Sequence, residues 1–176
     1  MPYAKYFQMA TVKPNGRPSN RTVVFRGFLG ETADVTMVTD LRSGKVGEIR
    51  ANPGGEFAWY FPESREQFRI SGNLTVVAHD SAEMQAQRRA AWKNMSTNGR
   101  AQFAWPVPGF PRLDEDFPDA FDVPEDVIAD DDAPVDNFCL VVMNVEEVDH
   151  LSLRSNRRYH HVKGEDGGWA TTEVNP

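Results

Sequence analysis

The chain has 176 residues, 40% hydrophobic and 11% aromatic, so it can form one domain with a substantial core and is too apolar for a disordered protein. Its one cysteine, Cys139, excludes an internal disulfide and a cysteine metal cluster. The first hundred residues carry 14 Lys and Arg against 9 Asp and Glu, whereas residues 101–176 carry 5 against 17. The acidic second part of the chain disfavours nucleic-acid binding, while the basic first part suits one small anion.

Eight stretches of the sequence have the alternating or apolar composition of strands. They lie at residues 6–12, 20–29, 34–39, 56–61, 67–78, 137–148, 158–162 and 169–174. Consecutive strands are joined by short turns, such as the Asn15-Gly16 turn, which predicts a mostly antiparallel sheet. Because a sheet of this many strands tends to curl, we expect a mainly β protein built on a barrel.

Two helices are predicted between these strands. The first covers residues 45–51, and Ser43 just before it is a suitable N-cap. The second covers residues 81–94, which are rich in Ala, Gln, Arg and Met and begin at Ser81. In the long strand between them, Gly72 predicts a kink.

An acidic, proline-rich segment interrupts the second half of the chain. Between residues 113 and 136 there are eleven Asp and Glu and no Lys or Arg. We expect an irregular loop insertion at about residues 106–136 within a single domain of residues 1–176. Two interpretations stay open for this segment: a solvated loop, or a cover over the mouth of an active site.

Two neighbouring stretches contain cations that suit a phosphate. Arg21 and Arg26 lie five residues apart in the second predicted strand, although arginines are also common on the solvent face of a sheet. Thr39, Ser43 and Lys45 surround the start of the first helix, where backbone amides and the helix dipole favour an anion. We predict that these side chains gather around the phosphate of a cofactor.

Four separated segments resemble the pyridoxamine 5′-phosphate oxidase-like superfamily, the FMN-binding split barrels. They are Arg21-Thr-Val-Val-Phe-Arg26, then Val38-Thr39 with Ser43-Gly44-Lys45, then the stretch from Arg65 to Gly72, and finally Arg154-Ser-Asn-Arg-Arg158 with Trp169. They occur in order along almost the whole chain. The resemblance implies a mostly antiparallel split β-barrel of the FMN-binding type, in a branch distinct from the vitamin B6 oxidase itself.

The resemblance implies FMN as the cofactor and twelve residues that bind it. They are Arg21, Thr22, Val23, Val24, Phe25, Arg26, Val38, Thr39, Ser43, Lys45, Gln67 and Arg158. Arg21 and Lys45 would neutralise the phosphate, and Arg158 would approach the polar edge of the flavin ring. Gln67 would reach a flavin held mainly by the other subunit, because the resemblance also implies a homodimer with flavin at the interface.

The positions that bind substrate in the oxidase differ here. The family's histidine near the C-terminus is matched by Asn156, and its flavin-contacting tryptophan by Val148. Three residues remain as candidates for substrate binding: Arg26, Trp92 and Arg154. Trp92 either lines a substrate cavity or packs its helix on the barrel, and oxidation of pyridoxamine phosphate is not expected.

These implications describe an FMN-binding flavoprotein, in the first instance an oxidoreductase acting on an unknown small substrate. No acid–base pair stands out, so no catalytic residue is assigned. The alternative is a non-catalytic flavin-binding protein (a carrier, a redox sensor or an assembly subunit), or a deazaflavin- or haem-binding member of the same fold. The histidines lack metal-ligand spacing, so no metal site is predicted. The first twelve residues contain no long apolar run, which predicts a cytoplasmic protein without a membrane partner.

Overall fold

The computed structural model describes residues 2–112, 119–123, 128–130 and 133–176. The chain forms two compact units. The first unit contains Met1–Met37, Glu48–Thr75 and Val142–Pro176, and the second contains Val38–Gly47 and Val76–Val141. Much of the predicted acidic loop lies outside the described residues. The single-domain organisation stays a prediction.

The described residues form nine strands and three α-helices. The strands are β1 (Tyr6–Val12), β2 (Pro18–Val24), β3 (Gly27–Phe28), β4 (Val35–Asp40), β5 (Gly54–Phe61), β6 (Glu66–Val77), β7 (Phe138–Ser152), β8 (Arg157–Lys163) and β9 (Trp169–Val174). The helices are α1 (Gly44–Ala51), α2 (Gln85–Lys93) and α3 (Thr97–Ala101), and a 3₁₀ helix (Pro2–Lys5) precedes β1. Among the described residues, no helix combines the length and apolar character that crossing a membrane requires.

All nine strands belong to one hydrogen-bonded sheet, in which β2, β1, β5 and β6 are successive neighbours. The pairs β1/β2, β1/β5, β5/β6, β7/β8 and β8/β9 are all antiparallel. In four of these five pairs the strands are consecutive, because short turns return the chain beside the strand that it has just left. The prediction of a mainly β, mostly antiparallel protein is confirmed.

The core of the first unit follows from alternation along its strands. In β1, Phe7 and Met9 face inward and are fully buried. The ring of Phe7 lies 4.4 Å from that of Phe57 on β5. Trp59 also packs on the ring of Phe7, and the indole N–H of Trp59 donates to the carbonyl of Ala4 at 3.1 Å. Each of these large side chains contributes roughly 1.5–3 kcal/mol through burial.

The second unit has an aromatic core of its own. Trp92, Met95, Phe103 and Phe138 form a buried cluster. The rings of Trp92 and Phe138 meet edge to face at 5.1 Å. The indole N–H of Trp92 is satisfied because it donates to the carbonyl of Asp130 at 2.8 Å.

Two arginines are buried beside this aromatic cluster. Arg88 donates to the carbonyls of Phe138 at 2.9 Å and Val135 at 2.8 Å. Arg100 donates to two carbonyls of α2 and, at 3.4 Å, to the carbonyl of Ile128. Backbone carbonyl oxygens therefore accept the hydrogen bonds of both guanidinium groups, which remain charged at any ordinary pH.

One predicted strand is divided in two in the structure. The strand predicted over residues 20–29 is divided into β2 and β3, which Phe25 and Arg26 separate, and Gly27 at the start of β3 has a φ of +123°. Arg26 therefore lies between strands, and its N–H donates to the carbonyl of Thr36 at 2.9 Å. The interruption removes the regular alternation that would place two residues five positions apart, such as Arg21 and Arg26, on opposite faces of one strand.

The second predicted helix begins later than expected. Ser81 does not start it; its hydroxyl accepts a hydrogen bond from the N–H of Ala78 at 2.9 Å. Met84 has a φ of +58°, and α2 begins at the next residue, Gln85. The side-chain amide of Gln85 donates to the carbonyls of Ala78 and Ser81. These bonds hold a turn where the sequence predicted the first turn of the helix.

Gly72 lies within an unbroken β6, and a close approach explains the glycine there. A Cβ atom at this position would lie 2.0 Å from the carbonyl oxygen of Asn144. We expect Gly72→Ala to lower the free energy of unfolding by about 1–3 kcal/mol, the usual cost of overpacking. Urea denaturation measures this. Gly47→Ala is the matched control, because no atom lies within 4 Å of its added Cβ. A Gly72→Ala protein as stable as the parent would contradict the close approach.

Candidate functional site

The turn between β4 and α1 brings three predicted phosphate-binding residues together. The ammonium of Lys45 donates to the hydroxyl of Thr39 at 3.0 Å and to the hydroxyl of Ser43 at 2.5 Å. Thr39 is buried, and the other two side chains are half-buried. A cation and two hydroxyl groups thus form one cluster at the start of a helix, which is a combination that suits an anion.

The local sequence explains how this turn forms. The N–H of Ser43 donates to the carbonyl of Asp40 at 3.0 Å, and the N–H of Val46 donates to the carbonyl of Ser43 at 2.9 Å. These bonds close the turn after β4 and open the first turn of α1. Val38, which was also predicted to contact the cofactor, packs against the aromatic core of the second unit.

Arg21 lies on β2 and is held by other side chains. One terminal nitrogen donates to the hydroxyl of Thr11 at 2.5 Å, and the other donates to Ser19 and to the carboxylate of Glu48, both at 2.7 Å. The hydroxyl of Thr11 in turn donates to the same Glu48 oxygen at 2.5 Å. The predicted phosphate ligand is therefore part of an ion pair within the protein.

Glu48 stays ionised in this network. Burial raises the pKa of its carboxyl, but the hydrogen bonds from Thr11 and Arg21 and the charge of Arg21 outweigh burial, and the pKa is lowered. The sequence analysis did not predict Thr11 or Glu48 as partners of Arg21. The signal that could have found Thr11 is its place in β1, where it is the one polar residue on the buried side after Phe7 and Met9.

The backbone from Thr22 to Phe25 was predicted to lie along the flavin ring. Thr22, Val23 and Val24 pair with Gln8, Phe7 and Tyr6 of β1. The N–H of Phe25 donates to the carbonyl of Lys5 at 2.7 Å. Arg26 is exposed, and no ion pair between described residues includes it. Of the two candidate arginines in this stretch, Arg26 is the more accessible to an added anion.

Arg158 was predicted to approach the flavin edge, and it is held by a carboxylate. Its Nε and one terminal nitrogen donate to the two oxygens of Asp149 at 2.9 and 2.6 Å. Arg69 of β6 also donates to Asp149. Hydrogen bonding from Arg158 lowers the pKa of Asp149 to about 2, against the opposing effect of burial and with further help from Arg69. Gln67, two residues before Arg69, is half-buried and pairs with Tyr60 of β5.

The remaining candidates lie in different surroundings. Arg154 is exposed, and it donates to the carbonyl of Glu63 at 2.8 Å. Trp92 has no exposed surface, and its described contacts are those of core packing. A polar hollow of about 100 Å³ in the first unit is lined by Glu56, Arg69, Ser71, Glu147, Asp149 and His160. Among the described residues, no group of three or more His, Cys, Asp and Glu could hold a metal ion.

Similarity to known proteins identifies the family. The family model described as pyridoxamine 5′-phosphate oxidase, FMN-binding domain, matches residues 1–78. Pyridoxine/pyridoxamine 5′-phosphate oxidase 2 of Arabidopsis thaliana is 37% identical over 182 residues, which cover 99% of this chain and 88% of the relative. The chain belongs to the pyridoxamine 5′-phosphate oxidase-like family. The predicted family and its cofactor, FMN, are confirmed, because the matched domain is an FMN-binding one.

Solved structures confirm the fold class. A pyridoxamine 5′-phosphate oxidase-related, FMN-binding protein of Nostoc punctiforme is 43% identical, with a TM-score of 0.93 over 99% of this chain and 89% of that protein. PhzG of Burkholderia lata, solved with tetrahydrophenazine-1-carboxylic acid, has a TM-score of 0.80 at 19% identity over 98% of this chain and 83% of PhzG. The second likeness concerns the fold alone. The predicted FMN-binding split-barrel type is thus confirmed.

The Asp149 ion pairs predict how stability depends on pH. The pKa of Asp149 is 3.8 before folding and about 2 in the folded protein, so its contribution is complete above pH 3.8 and is lost as the pH falls through 2. We expect Asp149→Asn to lower the free energy of unfolding at neutral pH by roughly 1–2 kcal/mol, after discounting for the partial exposure of both arginines. The difference should shrink between pH 4 and pH 2, as measured by urea denaturation. Glu165→Gln, at an exposed turn, is the control, and a pH-independent difference would contradict the assignment.

Proposed function

We propose that this chain binds FMN with its phosphate on the β4–α1 turn and acts as a flavin-dependent oxidoreductase on a small substrate. The observation that carries the proposal is the cluster of Lys45, Thr39 and Ser43 at the start of α1. The family is an FMN-binding one, and the Nostoc protein, 43% identical to this chain, is described as FMN-binding. FMN, when bound, supplies the hydride acceptor, and the protein supplies binding and electrostatics.

The donors of this cluster fit a phosphate ester. Both hydroxyl oxygens accept a hydrogen bond from Lys45, so each hydroxyl proton can still be donated to another acceptor. The lysine brings a compact positive charge, and the eight-residue helix α1 adds amide donors and the positive end of its dipole. A phosphate dianion would therefore meet one full charge and several donors within one turn of chain.

The other predicted residues complete the proposal. We assign Arg21 to the phosphate, Arg26 and the backbone from Thr22 to Phe25 to the flavin ring, and Gln67 and Arg158 to the ring in a homodimer. The homodimer and a cytoplasmic location rest on the sequence. Size-exclusion chromatography with light scattering tests the dimer, and a monomer that still binds FMN would contradict it.

The name of the Arabidopsis relative makes pyridoxine and pyridoxamine 5′-phosphate the first compounds to assay. Two features argue against them as substrates. Asn156 stands where the oxidase-like pattern has a histidine, and Trp92, a candidate for the substrate site, is fully buried. We expect little or no turnover of either compound, and we propose a different small molecule as the substrate.

A flavin-binding protein without turnover is the second candidate. Arg158, proposed for the polar edge of the ring, shares the carboxylate of Asp149 with Arg69. A positive charge at that edge would stabilise reduced flavin, and a carboxylate bonded to the same guanidinium weakens the expected shift in redox potential. A carrier or a sensor does not need that shift.

Purification under native conditions tests the proposed cofactor. We expect a yellow protein whose ligand has the mass of FMN. Anaerobic photoreduction followed by air then shows whether the bound flavin reacts with oxygen, as it should in an enzyme that uses oxygen as its electron acceptor. A colourless protein that FMN does not reconstitute would refute both candidate functions.

Substitution of Lys45 tests the phosphate assignment. We expect Lys45→Ala to weaken FMN binding by roughly 1.5–3 kcal/mol, the range for hydrogen bonds to charged groups, and the double variant with Arg21→Ala to weaken it further. Fluorescence titration measures both. Riboflavin, which lacks the phosphate, should bind the variant and the parent equally, and Lys13→Ala, at an exposed turn residue, is the control. Unchanged FMN affinity in the double variant would refute the assignment.

A further inference from the structure

Arg42 holds the candidate phosphate turn from within. Its Nε donates to one oxygen of Asp40 at 3.0 Å, and a terminal nitrogen donates to the other oxygen at 2.7 Å. The backbone N–H of Arg42 also donates to Asp40, at 2.7 Å. Asp40 therefore accepts three hydrogen bonds from one residue, which restrains both the side chain and the backbone of the turn.

Arg42 also ties this turn to the segment after α3. The same terminal nitrogen donates to the carbonyls of Trp105 at 2.9 Å and Phe103 at 3.3 Å. Asn137 adds a second link. Its side-chain amide donates to the carbonyl of Phe103 at 3.2 Å, and its backbone carbonyl accepts from the N–H of Leu41 at 2.7 Å. The turn is thus held by two segments that are distant in sequence.

The charge of Arg42 is already used within the protein. Asp40 is only 10% exposed, and its hydrogen bonding to the guanidinium raises the pKa of Arg42. The edge of the guanidinium formed by Nε and one terminal nitrogen is filled by a carboxylate and two carbonyls, so this edge has no donor left for a phosphate. Through this edge, Arg42 acts on an anion by the position of neighbouring groups. Thr39 lies just before Asp40, and Ser43 just after Arg42.

We propose that Arg42 is a positioning residue for cofactor binding, which fixes the β4–α1 turn so that Thr39, Ser43 and Lys45 are in place before the phosphate arrives. The inference rests on the proposed FMN function and adds a residue that no predicted site included. A site that is ordered before binding loses less conformational freedom on binding, and this raises affinity. Lysine cannot replace Arg42, because a single ammonium cannot fill the fork of Asp40 and reach two carbonyls.

The test compares two ligands that differ in the phosphate. Dissociation constants of FMN and riboflavin are measured by fluorescence for the parent, Arg42→Ala and Arg42→Lys. We expect both variants to weaken FMN by about tenfold, the lower end of what the loss of an orienting partner costs at metal sites. Riboflavin affinity should stay within about twofold, a change of less than 0.5 kcal/mol. The phosphorus NMR line of bound FMN should also shift in both variants.

Each other outcome overturns the inference in a recognisable way. Equal weakening of FMN and riboflavin would show a general structural role, and unchanged FMN affinity would show no role. An Arg42→Lys protein with full FMN affinity would show that charge alone matters. Parent protein that binds no FMN would refute the proposed function itself.

Controls separate positioning from loss of folding. Arg157→Ala removes an exposed arginine that pairs with Glu173. Both residues lie in the first unit, whereas Arg42 lies in the second, and this variant should bind both ligands as the parent does. Denaturation of each ligand-free variant shows whether it folds. If Arg42→Ala does not fold, Arg42→Lys and Asp40→Asn decide, since both keep most of the side-chain volume.

Discussion

Three hydrogen bonds between Asp40 and Arg42 hold the turn on which the candidate phosphate site depends. Any change in this turn would displace both Thr39 and Ser43, because they flank the pair in sequence. A forked guanidinium fixes direction as well as distance, which a single ammonium does not. Lys45, which is proposed to bind the phosphate, therefore lies at a turn whose conformation is held by Arg42.

Two of the cations predicted to bind cofactor are paired with carboxylates of the protein. Arg21 pairs with Glu48, and Arg158 pairs with Asp149. A partly buried cation without a partner would cost several kcal/mol, so the carboxylate stabilises each of these two arginines when no ligand is bound. Any anion that binds there must share the cation with a carboxylate or displace it, and this limits how strongly each arginine can attract a phosphate.

Local patterns in the sequence predicted the fold well. The bounds of β9 agree with the predicted strand at residues 169–174, and Lys45 lies within six residues of the hydroxyls that it contacts. The carboxylate partner of Arg21 could not be predicted in this way, because Glu48 is 27 residues away in the sequence and lies on a different element. The start of α2 was missed for a different reason: the left-handed backbone of Met84 leaves no mark in composition or periodicity.

Four described residues before and at the start of β7 are anchored through their carbonyl groups. Arg88, Arg100 and the indole of Trp92 donate to the carbonyl oxygens of Ile128, Asp130, Val135 and Phe138. The donors in these contacts are side-chain protons, which do not slow the exchange of main-chain amides. Deuterium uptake measured on the backbone would therefore not register these attachments to the core.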